Sequence, residues 1–397
     1  MLERQQIVVA HRDGLQRVMH RRDEGEPIPL ARPNVGPREA DLIQRVLDSG
    51  TLSMGAYTAE FEERLAVMVG RRHGIACSSG TAGLHLIVRA LDLEPGDEVI
   101  TTPFSFVASS NCAIFEGATP RFVDIEETTL GIDPSQVMEA SSPSTRAIIA
   151  VDVFGMPCRL MELDAIAREQ DWHLIEDSCE ALGSRLGDRA AGSFGVASVF
   201  AFYPNKQITT GEGGMVLTDD DGLAATMRSL RNQGRDEDGT WLRHVQLGYN
   251  YRIDELSAAL GVAQLERYDE LRAGRARVVE AYRRELDGCP WLSLPSAPAD
   301  TMVDWFVHVV RVADSVDRDE MLAGLAARGV PARPYFSPIH LQPFYRERFG
   351  YGPGDFPVTE RVARSTLAIP FSSLLTDDQV RRVASALIDA AADQGVT

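Results

Sequence analysis

Lys206 is the only lysine among the 40 lysine and arginine residues of this 397-residue chain. It stands in FYPNKQITTGEGG, a turn with aromatic neighbours between two short apolar runs. A guanidinium cannot readily lose a proton and attack a carbonyl, so a lysine kept in an arginine-rich chain marks a place where amine chemistry is needed. In a partly dry site the pKa of a lysine falls, which suits imine exchange and proton transfer. The plainer alternative is a hairpin with a solvated lysine at its tip. A second candidate is the pair Glu176 and Asp177, which ends the apolar stretch WHLIEDS. In open α/β sheets ligands bind beyond the carboxyl ends of the strands, and a carboxylate there can hold a pyridinium nitrogen protonated. A helix cap or a metal ligand would use the same residues. The third is CSSGTAGLHL, where a strand runs into a helix. Gly80, Thr81 and Ala82 would let backbone amides cradle a phosphate at a helix N-terminus. No Gly-Lys-Ser/Thr follows, so this is not the P-loop pattern, and a simple Ser/Thr cap after a tight turn fits equally.

The rest of the chain limits what this chemistry can serve. A hydrophobic content of 44% and a charged content of 25% are ordinary for a globular protein. The formal charge of −18, with no basic stretch, argues against a nucleic-acid partner. No apolar run approaches the roughly 20 residues that span a bilayer. The first residues are charged throughout and lack a signal-peptide core, so a cytoplasmic location is expected. Cys77, Cys112, Cys158, Cys179 and Cys289 are scattered, with neither disulfide nor metal-ligand spacing, and no metal is expected.

The elements that must position these residues are legible in outline. Residues 1–30 read as an extension of weak helical character ending at Pro27 and Pro29. PREADLIQRVLDSG and TAEFEERLAVMVG read as helices, the second stopping at Gly70. Seven apolar runs follow: HGIACSS, DEVITTP, PRFVDI, RAIIAVDV, WHLIEDS, VASVFAFY and GGMVLTD. Amphipathic helical patterns separate several of them, which predicts an α/β fold with a mostly parallel sheet covered on both faces. Residues 253–286 read as one long helix or two abutting ones, and CPWLSLPSAPAD as a break between domains. Beyond it come a strand in WFVHVVRV, a helix in DRDEMLAGLAARG, a Pro-rich loop from Val330 to Phe344, and two final helices.

Taken in order, SSGTAGLHL, TTPFSFVASSN, IEDSCEALGS, FYPNKQITTGEGG and GYNYRIDELSAALG resemble the sugar aminotransferases of the DegT/DnrJ/EryC1/StrS family. The resemblance spans roughly residues 30 to 390. It implies a fold-type I enzyme dependent on pyridoxal 5'-phosphate (PLP), with a seven-stranded sheet in a large domain over 31–288 and a smaller α+β domain over 289–397. It also implies that Lys206 forms the Schiff base with the cofactor and that Asp177 faces the pyridine nitrogen. Gly80 and Thr81 match the phosphate turn, Phe106 the ring-stacking aromatic, and Glu180 the residue near the phenolic oxygen. Asn250 matches a residue that reaches the cofactor phosphate of the neighbouring subunit, so a homodimer with shared active sites is implied. Tyr335 and His340, in PYFSPIHLQP, match substrate-side positions, although buried packing or a turn suits them as well. The family often carries a serine five positions before the lysine as a phosphate donor, and here that position is Ala201.

The implied activity moves an amino group from L-glutamate to a keto-deoxysugar attached to a nucleotide. The TTGEGG stretch near Lys206 leans towards the branch that aminates 4-keto-6-deoxy sugars. A 3-keto sugar or an aminocyclitol is the alternative acceptor. A family branch that dehydrates sugars carries histidine in place of the lysine, and Lys206 argues against it. A PLP-binding regulatory protein without turnover is the reading from a different class.

Overall fold

In a computed structural model of the chain, residues 27–236 and 242–396 are described. Most of the expected N-terminal extension therefore lies outside the described residues, and of its last residues Ile28 is buried. The strands in chain order begin with β1 (His73–Cys77), β2 (Glu98–Thr101), β3 (Thr119–Phe122), β4 (Thr145–Val151) and β5 (His173–Asp177). A small hairpin, β6 (Arg185–Leu186) and β7 (Arg189–Ala190), precedes β8 (Ala197–Ala201) and β9 (Gly214–Thr218). The central sheet has seven strands in the order β1-β9-β8-β5-β4-β2-β3. Neighbours from β3 to β8 are parallel, while β9 runs antiparallel to both β8 and β1. Each strand coincides with one of the seven apolar runs.

Pleating divides each strand between two cores. Ile149, Ile175, Val199 and Val216 join one core, and Ala150, Leu174, Phe200 and Met215 face the other side. Helices α1 (Pro37–Ser49) and α2 (Ala56–Val69) contribute Leu42, Val46, Phe61 and Leu65 to that second side. Helices α3 (Gly80–Ala90) and α4 (Ala108–Phe115) lie on the first. Gly83 lets α3 settle on the sheet: a Cβ there would stand 2.6 Å from Val199 Cγ2 and 3.2 Å from Val216 Cγ2. This close approach brings the start of α3 to the ends of β5 and β8.

After helices α5 (Pro134–Ala140), α6 (Leu160–Glu169) and α7 (Asp221–Arg231), residues 255–286 form two abutting helices, α8 (Glu255–Glu266) and α9 (Tyr268–Leu286). The C-terminal part holds a three-stranded antiparallel sheet of β10 (Leu292–Ser293), β12 (His308–Val312) and β13 (Thr366–Ile369), while β11 (Thr301–Met302) pairs with β6. Helices α10 (Arg318–Ala327) and α13 (Asp377–Asp393) cover it, and α11 (Pro343–Phe349) and α12 (Pro357–Ser365) precede β13.

Two sequence expectations change here. The core under the C-terminal three-stranded sheet takes Val278, Tyr282 and Leu286 from α9 and Ile28 from the N-terminal segment, so packing does not divide at residue 289. The region after Phe344 holds three helices and a strand rather than two helices. Strand β13 escapes pattern reading because its four residues follow α12 without a turn, and β10 because its two residues sit in the Pro-rich break. Asp124, just after β3, ties the two parts together: it accepts from the Val358 and Thr359 amides, each at 2.9 Å, at the start of α12.

His308 is fully buried on β12, its ring stacked on Tyr282 at 4.7 Å, and neither ring nitrogen has a partner among the described residues. Burial, with the nearby Arg283, drives its pKa down to about 3. An unfolded histidine titrates near 6.5, so between about pH 6.5 and 3 the unfolded chain binds the extra proton and stability falls as the pH is lowered. Denaturant titrations of wild type and His308→Phe at pH 7 and pH 5 should show the variant losing about 2 kcal/mol less over that interval. Identical acid sensitivity in the two proteins would contradict this account.

Candidate active site

The carboxyl ends of β5 and β8 and the starts of α3 and α4 enclose a cavity of about 420 Å3. Lys206, Asp177, Gly80, Thr81, Phe106, Glu180 and Tyr335 all line it. The pleat of β5 settles which of its two acids faces the cavity. Asp177, on the same face as Ile175, is 5% exposed; its Oδ2 accepts from Ser109 Oγ at 2.7 Å and its Oδ1 from the Cys179 amide at 3.2 Å. Ser105 Oγ donates to Ser109 Oγ at 2.9 Å and so extends the chain of hydroxyls behind the carboxylate. Glu176 points to the opposite face, where it accepts from the Gly192 and Phe194 amides at 2.6 and 2.8 Å. Burial raises its pKa, and burial together with the Glu176 charge raises that of its neighbour Asp152.

Strands β8 and β9 do form a hairpin, but the segment joining them turns inward rather than into solvent. The Phe202 carbonyl accepts from the Thr210 amide and from Thr209 Oγ1, each at 3.0 Å, and the Lys206 amide donates to the Tyr203 carbonyl at 2.9 Å. The Lys206 side chain is 12% exposed, with Nζ 3.4 Å from Glu180 Oε1 and 3.9 Å from the centre of the Phe306 ring. The other oxygen of Glu180 accepts from the Phe154 amide at 2.8 Å. Burial raises the Glu180 pKa, Lys206 opposes the rise, and the Asp177 charge adds to it. Burial, with the Glu180 charge, also pushes the Tyr335 phenol upward.

Three features of the walls bear on what the cavity can hold. Phe106 is 63% exposed and offers a flat apolar face to a planar ring. Helix α3 opens on the cavity with Ser79 Oγ accepting from the Ala82 amide at 3.1 Å, which leaves the amides of Gly80 and Thr81 at the positive end of the helix. A Cβ at Gly80 would stand 2.8 Å from both Ala201 Cβ and Cys179 Sγ, so glycine is what the packing admits there. Asn205, beside Lys206 on the wall, has a buried side-chain oxygen without a partner among the described residues. A ring for Phe106, an anion for the helix start, a carbonyl for the amine and a basic ring nitrogen for Asp177 are the parts of PLP, and these residues fit it.

Two expected site residues lie elsewhere. Asn250 is exposed and does not line the cavity of its own chain. His340 is fully buried in the turn Ile339–Leu341, with Nε2 3.2 Å from Glu360 Oε1 and its ring edge-on to Phe356. The Ile339 amide donates to the Pro103 carbonyl at 2.8 Å, which fixes that turn as packing, and burial lowers the His340 pKa. Of the two readings the sequence left open for His340, this geometry favours packing, and the residue does not line the cavity. Residues that the sequence did not single out also line the cavity, among them Ser109, Tyr203, Phe306 and Phe336. Ser109 had a local signal, lying in the motif that holds Phe106 and three residues after it. Phe306 had none, because nothing near it in sequence marks its approach to Lys206.

Comparison with known proteins agrees with this geometry. The model of the DegT/DnrJ/EryC1/StrS aminotransferase family matches residues 33–388. The chain is 36% identical over 364 residues to the GDP-perosamine synthase of Caulobacter vibrioides, covering 91% of this chain and 97% of that protein. It is 35% identical over 375 residues to the spore coat polysaccharide biosynthesis protein SpsC of Bacillus subtilis, covering 91% of this chain and 96% of that protein. Among solved structures, DesI in the presence of its TDP-sugar product superposes with a TM-score of 0.86 at 34% identity, over 94% of this chain and 95% of that one.

The tight seat of Gly80 yields a test. Gly80→Ala should displace the start of α3 from Ala201 and Cys179 and raise the dissociation constant for PLP by roughly tenfold, a loss of about 1.4 kcal/mol. An absorbance titration of the apoprotein measures it, and an unchanged constant would mean that the helix start does not hold the phosphate.

Proposed function

The chain belongs to the DegT/DnrJ/EryC1/StrS aminotransferase family and is a PLP-dependent aminotransferase, and from that premise we propose that it aminates a keto-deoxysugar attached to a nucleotide, with L-glutamate as donor and a 4-keto-6-deoxy sugar as acceptor. The observation that carries the site assignment is the convergence of Lys206 and Asp177 on one cavity from the ends of two neighbouring strands. When bound, PLP supplies a carbonyl for amine exchange and a ring that accepts electron density. Lys206 supplies the amine that holds the cofactor. Once released, its Nζ takes the proton from the α-carbon of the donor and returns it on the cofactor side, and it reverses this transfer for the acceptor. Asp177 keeps the ring nitrogen protonated, and Ser109 orients that carboxylate. Glu180 stands between the amine and the Phe154 amide, where it can face the phenolic oxygen. Phe106 stacks on the ring, and Gly80 and Thr81 hold the phosphate.

Ala201 adds no donor, so the phosphate rests on backbone amides, on Thr81 and on Asn250 of a second copy in a homodimer. Exposed Asn250, away from its own cavity, suits that role. Tyr335 lies on the acceptor side. A nucleotide-linked acceptor is supported by the names of two similar proteins, one a GDP-perosamine synthase and one seen with its TDP-sugar product. The setting is the cytoplasm, where nucleotide sugars and glutamate meet.

The test is amino transfer from glutamate to a panel of 4-keto and 3-keto nucleotide sugars and an aminocyclitol precursor, followed by product mass and position. A 4-amino product is the expected result; a 3-amino sugar or an aminated cyclitol would replace the acceptor assignment. Asp177→Asn should keep the Ser109 contact and lower kcat by roughly 100-fold or more through loss of the charge opposite the ring nitrogen. Near-normal turnover in that variant would remove Asp177 from its role.

A further inference from the structure

A buried cation lies behind Lys206, and none of the roles above uses it. Arg275 projects from α9 and is 7% exposed. Among the described residues no carboxylate stands within ion-pair distance of it. Its guanidinium donates instead to backbone carbonyls: Nη1 to Phe306 at 3.1 Å, and Nη2 to Lys206 at 2.8 Å and to Asn205 at 3.5 Å. The Phe371 ring lies 5.4 Å from its Cζ. The charge of buried Asp304, which is bonded to the Tyr268 hydroxyl, acts on the guanidinium from beyond ion-pair distance, so carbonyl dipoles make the direct contacts that replace its lost hydration. The demand met here is geometric. The planar fork of arginine spans two acceptors at a fixed separation, which a lysine ammonium cannot do.

Two of these three acceptors matter because of what each segment carries. One is the carbonyl of Lys206 itself. The other belongs to Phe306, whose ring centre lies 3.9 Å from the Lys206 Nζ. Gln207 adds a parallel tie, its Nε2 donating to the Glu180 carbonyl at 2.5 Å and to the Asp304 carbonyl at 3.0 Å. The Phe306 amide in turn donates to the Phe154 carbonyl at 3.3 Å, and Phe154 is the residue whose amide holds Glu180. Amine, carboxylate and ring are thus cross-linked through backbone groups from three distant parts of the chain, with Arg275 at the junction.

We infer that Arg275 is a positioning residue for Lys206: by joining the Lys206 and Phe306 carbonyls it sets where the lysine amine stands for proton transfer. The inference rests on the reading of Lys206 as the amine of the reaction. A misplacement of about 1 Å at a reacting group can lower a rate by about 100-fold, so the tie is strong enough to matter.

The lone lysine makes a direct test possible, because an amine-selective acetylating reagent modifies only Lys206 and the chain's amino terminus. In apoprotein, Arg275→Met should raise the acetylation rate of Lys206 at least about threefold, and Arg275→Lys, which keeps the charge without the fork but adds a second lysine, should fall between it and wild type when acetylation is read by mass on the Lys206 peptide. In holoenzyme, Arg275→Met should lower kcat by about 10- to 100-fold while KM for both substrates stays within about twofold. Unchanged acetylation with unchanged kcat would overturn the inference, as would a loss that follows cofactor occupancy alone. Should Arg275→Met fail to fold, Arg275→Lys, Phe306→Leu and their combination give the same answer: effects on kcat that do not add support the tie, and additive effects refute it. If wild-type holoenzyme turns over no amino donor, the reading of the reaction fails on its own, and the acetylation contrast still decides whether Arg275 holds Lys206.

Discussion

An amine has to be held out of bulk water yet beside a carboxyl group, and much of the architecture around the cavity can be read from that requirement. Lys206 Nζ rests between Glu180 and the face of Phe306. Neither contact is strong by itself: 3.4 Å is long for a charge-assisted hydrogen bond, and a cation–π contact contributes about 0.5–2 kcal/mol. Position comes instead from the backbone beneath them. The inward turn between β8 and β9 is closed on Phe202, and β8 is fixed by parallel pairing with β5, which ends in Asp177. One pair of adjacent strands therefore delivers both charged groups to the same place.

The same sheet explains why small residues collect at the other wall. Gly83 lets α3 lie against Val199 and Val216, and Gly80 lets its first turn pass Ala201 and Cys179. With α3 that close, a side chain at residue 80 would collide and a larger one at residue 201 would crowd the turn. Alanine at residue 201 keeps the contact with Gly80 and adds no hydroxyl, and the aligned amides at the helix end favour negative charge.

Much of this was legible in the sequence, for physical reasons that also mark the limits. The seven strands were visible because strands covered on both faces read as uninterrupted apolar runs. Lys206 was visible through a census, and Asp177 through the rule that places ligands at strand ends. The rule could not separate Asp177 from Glu176; the pleat did, by turning one to the cavity and the other to the core. His340 shows the opposite limit, since its motif placed it near substrate while the turn at Ile339 buries it against Phe356. Arg275 and Phe306 were invisible, because their roles depend on contacts with Lys206 from far along the chain, and neither residue type stands out locally. Short strands such as β13, and a core that borrows from α9, escaped for the same reason: tertiary pairing made them.

The account turns on Lys206 as the residue that carries the cofactor. Borohydride reduction of the holoenzyme, followed by proteolysis and peptide mass measurement, addresses that directly. The account predicts the added mass of reduced PLP on the peptide containing Lys206, with no label when glutamate has first converted the cofactor to its amine form. Release of unmodified cofactor from reduced holoenzyme, or label confined to the amino terminus, would contradict it.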